Sequence, residues 1–63
     1  MIIFCQSFTA EYMDDDPQLA REKAMMFANK VNSAGDVLSI SEIASGWGNS
    51  VTVWYKSMKK VEV

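Results

Sequence analysis

The sequence predicts an α+β chain: a single β-α-β-β domain, a three-stranded sheet with one helix packed on one face. Three observations carry that expectation. Ile2–Thr9 alternates with period two, Ala20–Val31 carries apolar residues at steps of four, three and four, and two later β-rich runs, Asp36–Ala44 and Val51–Lys56, flank a turn-rich segment. A length of 63 residues holds one domain, residues 1–63, with no internal repeat or linker.

In the first run Ile2, Phe4 and Phe8 fall on one side and Ile3, Cys5 and Ser7 on the other. The pattern is lost from Ala10 and the segment ends in Asp14-Asp15-Asp16-Pro17. There Asp16 is suited to cap a helix, because its carboxylate accepts from first-turn N–H groups. Pro17 suits the first helical position, where a missing N–H removes nothing. The helix is expected from Pro17 to about Ser33, with Ala20, Ala24, Phe27 and Val31 facing the sheet and Leu19, Ala28 and Ala34 widening the stripe. Gln18, Arg21, Glu22, Asn29 and Asn32 take the opposite side. Met25 falls among them, without a core role in a monomer, and Lys23 and Lys30 sit on the Leu19–Met26 edge. Gly35 then suits the left-handed position that closes a helix.

Alternation is blurred in the second strand, where Leu38 and Ile40 mark one face and Val37 and Ile43 the other. Ser45-Gly46-Trp47-Gly48-Asn49-Ser50 reads as a linker, and the strands around it form an antiparallel hairpin. In the third strand Val51, Val53 and Tyr55 share one face and Thr52, Trp54 and Lys56 the other. A single helix covers one face. Trp54 therefore joins Ile3 and Cys5 on a face that a monomer leaves wet, and self-association is the expected remedy.

Composition narrows the function. A net charge of −2 gives no basic field for nucleic acid, and no stretch is long enough to span a membrane. The start of the chain lacks the features of a signal peptide, and the one cysteine closes no intrachain disulfide, so the expected compartment is a bacterial cytoplasm. A hydrophobic fraction of 49% exceeds what one small core hides. The segment Lys59–Val63 reads as a frayed strand end.

No histidine is present, which removes the commonest general base and metal ligand, so no catalytic residue, metal ligand or cofactor is expected. Cys5 has no histidine to activate it and reads as a buried core thiol. Glu11 and the three aspartates match no calcium-loop spacing; Asp16 is read as the helix cap and Asp14 and Asp15 as partners of the helix dipole. In the Gly46–Ser50 segment the glycines suit a backbone anion nest beside the Trp47 indole. The candidate ligand site is accordingly Gly46, Trp47, Gly48, Asn49 and Ser50, with Lys23 and Lys30 supplying charge. The alternative for this segment is a hairpin turn with Trp47 in a subunit interface. Met13, Met25, Met26 and Met58 suit an adaptable apolar surface.

The β-α-β-β order is that of several small oligomeric proteins, the flavin-binding dodecins among them, although no dodecin motif is quotable here. The layout as a whole, with Phe27-Ala28-Asn29-Lys30-Val31-Asn32, Val37-Leu38-Ser39-Ile40-Ser41 and Ser50-Val51-Thr52-Val53-Trp54-Tyr55-Lys56, resembles small uncharacterised β-α-β-β proteins of Bacillus and their phages. That resemblance implies a mobile-element origin and the behaviour of an inhibitor or sequestering protein that disarms host defence. The expectation is a non-enzymatic homo-oligomer that sequesters a small nucleotide-like ligand at subunit interfaces. The alternatives are an inhibitor that binds a host protein through an apolar surface, and a structural assembly protein.

Overall fold

The computed structural model describes residues 1–13, 16 and 18–63. In chain order its elements are β1 (Ile2–Glu11), α1 (Gln18–Asn32), β2 (Gly35–Ala44) and β3 (Gly48–Ser57). The strands form one sheet of order β1-β3-β2, and both neighbours run antiparallel to β3. The crossover through α1 leaves one strand position open between β1 and β2, and the hairpin returns β3 into it. The expected α+β architecture is the one observed.

Helix α1 starts where the capping argument places it. The Gln18 N–H donates to Asp16 Oδ1 at 2.8 Å and the Leu19 N–H to the Asp16 carbonyl at 2.9 Å. The expectations for Asp14, Asp15 and Pro17 lie outside the described residues. At the other end the Ser33 N–H and Oγ donate to the Lys30 carbonyl and the Ala34 N–H to that of Val31, so the last turn tightens. Gly35 does not close the helix in a left-handed conformation as expected; it opens β2, with no positive φ. Its reason is close approach: a Cβ there would collide with the Lys56 carbonyl oxygen.

Blurred alternation in β2 has a structural cause. Val37 pairs with Tyr55 and Ser39 with Trp54, so Leu38 is the extra residue of a β-bulge. The bulge shifts the parity. Val37 and Ile40 therefore share the helix-covered face, which corrects the expected pairing of Leu38 with Ile40 and of Val37 with Ile43. The expected linker is shorter than Ser45–Ser50, because Gly48, Asn49 and Ser50 already belong to β3, opposite Glu11, Ala10 and Thr9. Only 45–47 connect the two strands, with the Ser45 N–H donating to the Gly48 carbonyl at 2.8 Å.

The core lies between α1 and one face of the sheet. Ala20, Ala24, Phe27, Ala28 and Val31 pack on Phe8, Ala10, Val51, Val53 and Tyr55. The small residues Ala20 and Ala24 let the helix sit close, and Phe27 fills the centre. Its ring is 5.6 Å from Phe8 and meets Tyr55 edge-on at 5.5 Å, while Phe4 stacks on the other side of Tyr55 at 5.5 Å. Tyr55 is fully buried, and its hydroxyl accepts from the Val61 N–H at 3.0 Å. The segment Lys59–Val63 is thus no frayed strand end: Ser57 Oγ donates to the Lys59 carbonyl and Val61 is buried in the core.

Replacing Tyr55 by Phe keeps the ring packing and deletes the bond to Val61, so urea unfolding should show a loss of about 1 kcal/mol. Phe27→Ala removes the ring on which Phe8 and Tyr55 close. It should cost about 3–5 kcal/mol, enough to leave a domain of this size largely unfolded by circular dichroism.

Candidate functional site

Parity of the three strands decides what the uncovered face carries. Trp54 lies at its centre, flanked by Cys5 on β1 and Ser39 on β2. The next row is Ser7, Thr52 and Ser41, with Ser7 and Thr52 hydroxyls bonded at 2.8 Å. Beyond it Ser50 sits between Thr9 and Ile43, and at the other end Lys56 sits between Ile3 and Asp36. Ile3 is 64% exposed, Ile43 73% and Trp54 43%. This face is rich in small hydroxyls and studded with large apolar groups that no described element covers. Cys5, expected as a buried core thiol, is exposed here because its parity assigns it to the bare face.

A second feature lies at the end of the sheet where β1 exits. The Tyr12 N–H donates to the Trp47 carbonyl at 3.0 Å, extending the β1–β3 ladder one step past its last paired strand residues. Glu11, Tyr12, Met13, Gly46 and Trp47 line a shallow, open recess there, with both aromatic side chains exposed. A Cβ at Gly46 would meet nothing within 4 Å outside its chain neighbours, so the backbone there is open. Neither glycine has a positive φ. The alternating right- and left-handed backbone of an anion nest is therefore absent, which corrects that part of the expectation.

A third feature joins helix to hairpin. Arg21 grips Glu42 through Nε at 2.9 and 3.2 Å and through Nη2 at 3.0 Å, and Glu42 Oε2 also accepts from Asn49 Nδ2 at 2.9 Å. The hydrogen bond and charge of Glu42 raise the Arg21 pKa. The hydrogen bonds from Arg21 and then Asn49 hold the Glu42 carboxyl below its ordinary value, against the opposing effect of desolvation. Beside this network Met25 and Ile40 flank a shallow groove between α1 and β2.

The seven expected ligand residues are thus not gathered at one place within a protomer. Gly46 and Trp47 are in the recess. Asn49 points to the helix-covered side and is buried, engaged with Glu42, whereas Ser50 faces the opposite side. Lys23 and Lys30 are exposed on α1, and Lys30 lies in its last turn, about 20 Å along the helix from the Asp16 cap near the recess. Met13, Met25, Met26 and Met58 are all exposed, but only Met25 and Met26 share an element, α1. Among the described residues no three carboxylates, thiols or imidazoles cluster as metal ligands, and no helix is long and apolar enough to cross a membrane.

Sequence reasoning missed Tyr12 and the Arg21–Glu42–Asn49 network. Tyr12 is the residue opposite Trp47 once β1 is extended to Glu11. Glu42 was hidden by the bulge, which alone places it on the helix side. Comparison of the chain with protein-family models, curated proteins and solved structures gave no match.

The pair also fixes a pH dependence. A carboxyl whose folded pKa is depressed contributes stability above its unfolded pKa and loses it as pH falls through the folded value. The melting temperature of the parent should therefore decline as pH drops below about 4.3, the ordinary glutamate value. In Glu42→Gln that acid-side decline should be shallower, and the melting temperature above pH 6 lower.

Proposed function

We propose that this chain is a non-enzymatic binding protein that works as a homo-oligomer and holds a small nucleotide-like ligand. The observation that carries the self-association is the bare sheet face, where Ile3, Trp54 and Ile43 stand in solvent, whereas the centre of the opposite face is packed under α1. Trp54 at the centre, ringed by small hydroxyls that permit close approach, has the form of an interface anchor within a polar surround. A second copy presenting the same face satisfies it without any new chemistry.

What supports a planar ligand is the Tyr12–Trp47 recess. Two exposed rings are positioned by a main-chain hydrogen bond, with open space beside Gly46 and the Glu11 carboxylate at the rim. Rings of this kind stack on a nucleobase of any identity. The absence of histidine leaves no ordinary proton-transfer group near pH 7, in keeping with capture rather than turnover.

Native mass spectrometry with sedimentation tests the first part. The protein should be oligomeric at micromolar concentration, and Trp54→Lys, which leaves the core untouched, should weaken association about tenfold or more. A folded monomer at high concentration would overturn the proposal. For the ligand, indole fluorescence should be quenched by a member of a nucleotide panel in the parent and in Trp54→Phe. Trp47→Ala should abolish that response.

A further inference from the structure

Strand β1 is an edge strand, and among the described residues no element pairs with its outer side. From Ile2 to Ala10 it has no charge, no proline, no glycine and no bulge, whereas the other edge, β2, carries Asp36, Glu42 and the Leu38 bulge. The direction of its free groups follows from one bond. Since the Tyr12 N–H points to β3, the alternation of an antiparallel ladder turns the N–H and carbonyl groups of the even residues inward. Those of Ile3, Cys5, Ser7 and Thr9 point outward. The Gln6 side chain agrees with this, because its Nε2 bends back to the Ser7 carbonyl at 3.3 Å. An edge this long, regular and uncharged is a template for another strand.

We propose that β1 pairs antiparallel with β1 of a second copy, and that this seam completes the nucleotide site by bringing Lys30 of the partner subunit to the Tyr12–Trp47 recess. The inference rests on the self-association and ligand reading above and adds, beside the face contact at Trp54, a second contact at the sheet edge. The register that pairs the uncharged run Ile2–Ala10 with itself puts Gln6 opposite Gln6 on the two-fold axis. Cys5 then bonds with the partner's Ser7 and Ile3 with the partner's Thr9, each through outward groups, while Glu11 stays outside the paired run. Both helices fall on the same face of a six-stranded sheet. Their underlying β3 strands are three strand spacings apart, about 14 Å, which clears two helices of about 10–12 Å diameter.

The seam also resolves the scattered lysines. Arg21 and Met25 lie on the flank of α1 that faces β2. By helical spacing Leu19, Lys23, Met26 and Lys30 occupy the other flank, toward β1 and the seam. Within one protomer Lys30 sits at the end of the sheet remote from Trp47. Antiparallel pairing reverses the partner, so the partner's Lys30 arrives at the Trp47 end, on a helix above a strand two spacings, about 10 Å, from the line of β1 and Tyr12. The rings of one copy hold the base, and the ammonium of the other holds the phosphate. The site is incomplete without the second chain.

Two experiments test this. In a Cys5→Ser background Gln6→Cys should give a disulfide-linked dimer on mild oxidation that still folds, while Glu22→Cys on the exposed side of α1 should not. An oligomer that forms without the Gln6→Cys cross-link overturns the seam and leaves self-association standing; a monomer overturns both. ATP serves as the probe for the shared site, read by indole quenching. Trp47→Ala and Lys30→Gln should each weaken binding about tenfold or more. Refolding the two variants together should restore about a quarter of the parent's sites, since half the dimers are mixed and each has one intact site. No restoration in a mixture shown to contain mixed dimers overturns the shared site.

Discussion

A helix of fifteen residues, about 22 Å long, lies over strands of ten residues that reach about 33 Å, and this mismatch governs the molecule. The helix covers the middle of one face and nothing else. The radius of gyration, 12.1 Å, exceeds the ~10.6 Å of a compact chain of this length, and the longest dimension is 38 Å. Both ends of the sheet overhang. At one of them Val61 folds back onto Tyr55 and seals the core; at the other Tyr12 and Trp47 remain open. The exposed rings and the bare far face have the same origin.

Much of this was legible in the residues. Asp16 before an apolar stripe at helical spacing defines the start and buried side of α1, and the alternation of β3 assigns Val51, Val53 and Tyr55 to the core and Trp54 to solvent. What was not legible depended on a neighbour distant in the chain. Gly35 and Gly48 look like turn residues, yet each is small because a backbone carbonyl, of Lys56 or Ala10, passes close by. Gly48–Ser50 become strand only because β1 continues to Glu11. The grip of Arg21 on Glu42 spans 21 positions and needs the Leu38 bulge to turn Glu42 toward the helix. Of the candidate residues, Gly46 and Trp47 line the recess, while Asn49 is engaged by that network.

The polar network and the apolar core divide their tasks. Burial of Phe27, Tyr55, Val31 and the alanines supplies non-directional stabilisation, which alone would let the helix slide along the sheet. The forked Arg21–Glu42 contact and its Asn49 brace fix the helix to one hairpin and hence to one position. Their exposure to solvent limits what they add to stability, so their role is orientation. A domain held this way keeps α1 at a defined angle to both sheet edges, a requirement for any site built from the flank of the helix.

The bulge at Leu38 has a consequence beyond turning Glu42. A sheet with two equally clean edges adds copies on both sides and grows into a ribbon of unlimited length. Here the extra residue breaks the repeat of donors and acceptors along β2, and Asp36 and Glu42 place charge beside it. In the proposed seam, growth through β1 would consequently halt after a single addition. The irregularity that blurred the sequence pattern leaves the sheet with one clean edge rather than two.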